Sequence, residues 1–132
     1  MPVADLSALL RSLEPRLQEG RYAFATLGPG GGPAPADAVA SVREAEGLSV
    51  VVTEEVARRE RLAVAFLAEW ITLTVHSDLN AVGLTAAFAR ALADAGIGCN
   101  VIAGVHHDHL FVPAGRGLEA VAVLRALQER AG

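Results

Sequence analysis

Three histidines and an aspartate occupy four consecutive positions, His106, His107, Asp108 and His109. Imidazole nitrogens and carboxylate oxygens ligate zinc and other divalent transition metals, so a small metal-dependent enzyme is one alternative for this chain. On a regular strand, however, His107 and His109 project to one face, and His106 and Asp108 project to the other. Because four such ligands do not surround one ion, we interpret the cluster as a polar hairpin tip and predict no metal.

A second group of reactive residue types, His76, Ser77 and Asp78, contains those of a hydrolase triad. The three are adjacent in one segment, so they cannot converge as base, nucleophile and orienting group. We therefore predict no catalytic residue here. Ser77, Asp78 and Asn80 are also common helix-capping residues, and capping and ligand contact both remain open at these positions.

The composition excludes several kinds of chemistry. All eleven basic residues are arginines, so neither a Schiff-base lysine nor a phosphate-loop lysine operates in this chain. The net charge of -4 and the scattered arginines argue against a nucleic-acid partner. The single cysteine, Cys99, cannot form an intramolecular disulfide, and its apolar neighbours predict a small core residue. We expect a cytoplasmic protein, and since no apolar run reaches membrane-spanning length, we expect no membrane contact.

The elements that would position these residues follow from hydrophobic spacing and from turn residues, in a chain of 132 residues that has room for one ordinary domain or two very small ones. In the first half we predict a helix at 5–13 with Asp5 as its N-cap, strands at 21–27, 39–44 and 48–53, and a short helix capped by Thr53. The glycine- and proline-rich residues 28–37 predict a flexible surface connector.

The second half has a more regular pattern. Ile71, Leu73 and Val75 alternate with polar residues and predict a strand at 70–77 with one buried face. A helix follows and ends at Gly96, which stands where a left-handed C-terminal cap belongs. Strands at 97–105 and 109–113 and a closing helix complete a β-α-β-β-α order, which is the split βαβ pattern without its last strand.

The segment ITLTVHSDLNAVGLTAAFARALADAGIGCNVIAG resembles ACT domains, the small amino-acid-sensing modules attached to aspartokinases and other biosynthetic enzymes. There a first strand runs into a polar loop, a glycine opens the first helix, and Gly-Ile begins the second strand. The longer string that includes EGLSVVV and AGVHHDHLFVP resembles stand-alone, short bacterial ACT-like proteins.

This resemblance implies an α+β, ferredoxin-like ACT fold of βαββαβ order, an antiparallel sheet with helices on one face. Because the C-terminal half lacks a closing strand, we expect the N-terminal half to supply it. The chain would then consist of two fused ACT-like lobes that share strands, an N-terminal lobe at 1–66 and a C-terminal ACT domain at 67–132.

The resemblance also implies a ligand site at the loop after the first strand of the C-terminal domain and at the strand that faces it. Carried onto this chain, the site residues are His76, Ser77, Asp78, Leu79, Asn80, Ala81, Val82, Gly83, Asn100, Val101 and Ile102. A helix N-terminus suits a carboxylate, Gly83 would let the ligand approach the first turn, and Asp78 would bind an ammonium group.

The function that these observations favour is a non-enzymatic regulatory protein, without a cofactor, that binds a small molecule, an amino acid in the leading interpretation. It would act through contacts in a homo-oligomer or with a separate protein partner. Two alternatives remain: the metal-dependent enzyme that uses the cluster from His106 to His109, and a structural association module without any ligand.

Overall fold

The computed structural model describes residues 5–28 and 36–132, and they divide into two compact units. The outer unit comprises residues 5–18 together with Glu69–Gly132, and the inserted unit is Glu19–Ala68. Most of the predicted connector at 28–37, namely residues 29–35, lies outside the described residues. The predicted division into lobes at 1–66 and 67–132 stays a prediction.

Four helices and seven strands follow one another along the described chain. They are α1 (Leu6–Arg11), β1 (Pro15–Leu17), β2 (Tyr22–Thr26), β3 (Ala40–Glu44), β4 (Gly47–Thr53), α2 (Glu54–Arg59), β5 (Val64–Leu73), α3 (Leu84–Asp94), β6 (Asn100–Ala103), β7 (Asp108–Pro113) and α4 (Gly117–Ala131). Strand β5 crosses from the inserted unit into the outer unit, because its first half ends at Ala68 and its second half begins at Glu69.

The inserted unit is an antiparallel sheet with one short helix. Its strands lie in the order β3-β4-β2 and then the first half of β5. Thr53 caps α2 as predicted, because its hydroxyl oxygen accepts a hydrogen bond from the Val56 N–H at 3.2 Å. The unit has a small core of its own, made of Ala23, Ala25, Val50, Val52, Val56 and Ala57.

In the outer unit, β1 pairs with the second half of β5, β7 lies next to β5, and β6 pairs with β7. The register of β1 joins Pro15 to Leu73 and Leu17 to Ile71. A segment of the N-terminal half therefore supplies the fourth strand that the C-terminal half lacks, which confirms the expectation from sequence. The four strands and the helices between them form a ferredoxin-like α+β fold.

The core of the outer unit combines one face of the sheet with α1, α3 and α4. Ile71, Leu73 and Val75 are buried, as the alternating pattern of this segment predicts. Helix α3 contributes Leu84, Phe88 and Leu92 at helical spacing, of which Phe88 and Leu92 are fully buried. Burying a phenylalanine of this kind contributes about 3–5 kcal/mol, judged by the cost of its replacement by alanine.

Two strand boundaries predicted from the sequence are wrong. Strand β5 begins at Val64 and ends at Leu73, whereas the alternation placed it at 70–77. Strand β6 begins at Asn100, because the Ile97 N–H bonds the Leu92 carbonyl at 2.9 Å and so belongs to the end of α3. Gly96, with φ +73°, confirms the predicted left-handed residue after that helix.

Within residues 5–28 and 36–132, no helix is both long enough and apolar enough to cross a membrane.

Candidate functional site

The loop after β5 contains a turn that is organised by Asp78. Its Oδ1 atom accepts a hydrogen bond from the Asn80 N–H at 2.8 Å, and its carbonyl accepts one from the Ala81 N–H at 2.9 Å. The side chain therefore mimics a backbone turn. No described residue donates to its second oxygen, Oδ2, which leaves that atom available to a donor from outside.

Gly83 stands at the N-terminus of α3, in a left-handed conformation with φ +101°. No side chain caps this helix, so Ser77, Asp78 and Asn80 are not its caps. A Cβ atom at position 83 would lie 3.1 Å from Cδ2 of Leu6 in α1. We predicted from the sequence that a ligand approaches the helix beside Gly83. The side chain of Leu6 occupies one side of that approach.

Ser77 and Asp108 join this loop to the beginning of β7. Both residues are only 8% exposed, and the Ser77 hydroxyl donates a hydrogen bond to the Asp108 carboxylate. Burial raises the pKa of Asp108 above its ordinary value, while His109, the bond from Ser77, and His107 act in the opposite direction. The prediction of a polar, partly exposed hairpin tip therefore holds for His106 and His107 but is wrong for Asp108, whose carboxylate is buried and accepts a hydrogen bond from another segment.

Three imidazole rings meet at the same place. The ring centroid of His76 is 5.3 Å from that of His106 and 6.4 Å from that of His107, and the latter two are 6.3 Å apart. His107 Nδ1 also lies 3.4 Å from the Val75 carbonyl oxygen. The residues between β6 and β7 thus form one wall beside the loop, with His106 exposed and His107 half-buried.

Among the described residues, no group of three or more His, Cys, Asp or Glu side chains is arranged to hold a metal ion. The metal-dependent alternative therefore has no ligand set in this part of the chain.

His109 has different neighbours from the other three histidines. Its Nδ1 accepts a hydrogen bond from the Trp70 indole N–H at 3.1 Å and lies 3.2 Å from the Thr72 hydroxyl oxygen. The indole is a donor only, so the neutral imidazole carries its proton on Nε2. Burial lowers the pKa of His109, His107 lowers it further, and Asp108 raises it.

The second part of the predicted site lies on β6, where Asn100, Val101 and Ile102 pair with Phe111, Leu110 and His109. Strand β7 stands between β6 and β5 in the sheet order. Asn100, Val101 and Ile102 are thus separated from the loop by β7. Within one chain, the loop is contacted by His106, His107 and Asp108, which were not among the predicted site residues. The three histidines and one aspartate in a row could have indicated a functional region. Nothing in the sequence showed that these residues face the loop after β5.

Two clefts in the outer unit lie elsewhere. One, of about 600 Å³, is lined by Glu14, Pro15, Arg16, Leu17, Thr74, Leu118, Val121 and Arg125. A second, of about 360 Å³, is lined by Arg11, Glu14, Arg125, Gln128 and Glu129. Neither includes a residue of the predicted loop site.

Comparison with known proteins identifies the family to which this ferredoxin-like fold belongs. Two ACT-domain family models match the chain, one over residues 2–69 and the other over residues 67–126. The chain therefore belongs to the ACT domain family, and it contains two such domains in succession. ACT domains are regulatory modules rather than catalytic ones, which places this protein among small-molecule-binding regulators. No curated protein matches its sequence.

Solved structures agree with this assignment. A Vibrio cholerae protein of unknown function, described as a possible transport protein, is 43% identical, with a TM-score of 0.80 over 93% of this chain and 95% of that one. The aspartokinase α and β subunits are 12% identical, with a TM-score of 0.63 over 87% of this chain and 97% of that one. The regulatory subunit of aspartate kinase from Thermus flavus is 10% identical, with a TM-score of 0.61 over 86% and 95%. At the two low identities, the likeness shows the fold alone.

Proposed function

We propose that this protein is a non-enzymatic, cytoplasmic regulator that binds an amino acid at the loop after β5 and responds through a change in self-association or in a contact with another protein. The observation that carries the proposal is the match of ACT-domain models to both parts of the chain. The fold shared with the regulatory subunit of aspartate kinase supports a regulatory role. Its effect would reach another molecule through binding, because an ACT domain changes affinity rather than carrying out a reaction.

The chemistry of the loop fits both charged groups of an amino acid. The first-turn N–H groups of α3 have no side-chain cap, and they would bind the carboxylate. Oδ2 of Asp78 would accept a hydrogen bond from the ammonium group while Oδ1 keeps its bond to the Asn80 N–H. The remaining loop residues, His76, Ser77, Leu79, Ala81 and Val82, would form the surroundings of the ligand.

Asn100, Val101 and Ile102 enter this site from a second copy of the chain. Strand β6 ends the strand order of the outer unit, and within one chain β7 separates it from the loop. A homo-oligomer in which β6 of one copy faces the loop of another would enclose the ligand between them. Binding and association would then be linked, because each would increase the affinity of the other.

The first experiment is a thermal-unfolding screen of the protein against each of the twenty amino acids. A ligand at a hundred times its Kd adds about 2.7 kcal/mol to stability, which such a screen detects easily. Sedimentation velocity with and without the best ligand then measures association. A protein that no amino acid stabilises would contradict the proposal and favour the association module without a ligand.

The second experiment measures the affinity of that ligand by calorimetry for Asp78→Asn and for Glu46→Gln. The introduced amide would keep the turn but lose the charge, so we expect binding to weaken by about 1–3 kcal/mol. Glu46 is exposed in the turn after β3, and its replacement gives the same change in net charge as a control. Equal affinities of the two variants would place the ligand elsewhere.

A further inference from the structure

The larger cleft of the outer unit lies between strand β1 and helix α4. Leu118, Val121 and Arg125 follow helical spacing along one side of α4, and residues 14–17 form the opposite wall. Leu118 is 79% exposed, and it lines the cleft together with Leu17 and Val121. The cleft of about 600 Å³ thus has an apolar wall that no described residue covers.

The same cleft contains two arginines without a carboxylate partner. The ion pairs among the described residues involve Arg21, Arg58, Arg59, Arg90 and Arg116. Arg16 and Arg125 form none with these residues. The carboxylate of Glu14, which also lines the cleft, instead accepts a hydrogen bond from the Gln128 amide at 2.7 Å. Arg16 and Arg125 line one cleft, so a carboxylate bound there would have two guanidinium groups within the same cavity.

The occupant is a small molecule rather than an added strand. Strand β1 has only three residues, and it begins with Pro15, which has no N–H to donate. Proline and arginine on a short edge strand both oppose pairing with another chain. A compact ligand needs no strand pairing and uses only the guanidinium groups and the apolar wall.

We propose that this cleft is a second ligand site, separate from the loop after β5, for a small organic acid with a short aliphatic body. The carboxylate binds Arg16 and Arg125, whose planar groups donate paired hydrogen bonds. The aliphatic body packs on Leu17, Leu118 and Val121. An ammonium group is not needed here, which distinguishes this ligand from an amino acid.

The test uses three probes of one carbon skeleton: 4-methylpentanoate, 4-methylpentan-1-ol and 4-methylpentylamine. Each is titrated into ¹⁵N-labelled protein, and amide shifts are followed by NMR. We expect the carboxylate to shift the amides of Leu17, Val121 and Arg125 saturably, and the alcohol and the amine to bind at least about tenfold more weakly. Equal binding of the alcohol, tighter binding of the amine, or shifts confined to the loop after β5 would overturn the proposal.

Charge-removing variants locate the site. Arg16→Gln and Arg125→Gln are exposed substitutions, and each should weaken binding of 4-methylpentanoate about tenfold. Arg130→Gln, on the exposed part of the same helix but outside the cleft, is the matched control and should bind as the unchanged protein does. If all three variants bind equally well, the site is refuted. Asp78→Asn should leave this binding unchanged, so this proposal and the proposed amino-acid site can fail independently.

Discussion

Glu69 holds the beginning of α4, and its replacement should be among the more destabilising changes of a polar residue in the outer unit. One carboxylate oxygen, Oε1, accepts hydrogen bonds from the Gly115 N–H at 2.7 Å and from the Gly117 N–H at 3.0 Å. The side chain reaches from β5 to a helix that begins 48 residues later in the sequence. It serves as a cap from outside the helix, at the end where a negative charge is favourable.

The cost of Glu69→Ala follows from the two donors that lose their acceptor. Gly117 is buried, so its N–H would lack a partner at about 1–2 kcal/mol, whereas the exposed Gly115 N–H would bond water at a cost of about 0.5 kcal/mol. The total of about 2 kcal/mol corresponds to a fall of about 7 °C in the Tm of a chain of 132 residues. Glu69→Gln keeps an acceptor oxygen without its charge and should lose less than half of this amount.

Urea and thermal unfolding of both variants, followed by circular dichroism, measure these differences. Glu129→Ala is the control, because it removes an exposed carboxylate without a side-chain hydrogen bond from the other end of α4. We expect it to change stability by less than about 0.5 kcal/mol. If Glu69→Ala were as stable as this control, the capping argument would be refuted.

Three further predictions concern single residues. Burial lowers the pKa of His109 below 6.5, so at mildly acidic pH the unfolded chain binds a proton at this residue more readily than the folded chain does. The free energy of unfolding should therefore decrease as the pH drops below about 6.5. The Tm of His109→Gln should decrease less steeply over the same pH range. Burial raises the pKa of the Cys99 thiol to about 11. Because the thiolate is the reactive form, alkylation by iodoacetamide at about pH 8 should be at least about a hundredfold slower in the folded protein than in the unfolded protein. Comparable rates in the two states would contradict the burial of Cys99. Gly83→Ala places a Cβ atom at φ +101° and against Leu6, so chemical unfolding should show a loss of about 1–2 kcal/mol, and an unchanged midpoint would argue against the left-handed conformation.

Features that depend on nearby residues could be predicted from the sequence. Asp5 caps α1 by accepting a hydrogen bond from the Ala8 N–H, three residues away. Thr53 caps α2 in the same way, and Gly96 ends α3 in the left-handed conformation. In each case the interaction spans less than two turns of helix, so the residue type and its position relative to the apolar stripe were sufficient.

Features that depend on register between distant segments could not be predicted. Strand β1 has three residues and begins with a proline, so it has no periodicity of its own and exists only because β5 pairs with it. The contacts of His76 with His106 and His107, and the bond from Ser77 to Asp108, join segments about thirty residues apart. Both require knowledge of how β7 lies beside β5.

In the sequence, the unit Glu19–Ala68 is inserted between the two segments of the outer unit, and this affects which unit can fold first during synthesis. Glu19–Ala68 is contiguous, so it has all of its residues before α4 has been made, whereas the outer unit needs both chain ends. When β2 pairs with β5, Tyr22 comes opposite Ala68, and the residues on either side of the insertion become neighbours. The entropy of closing a long loop is then already lost when β1 meets the second half of β5. A nascent chain released before its last helix would leave α1 and β1 without the part of the core that α4 supplies, namely Ala120, Val121 and Leu124.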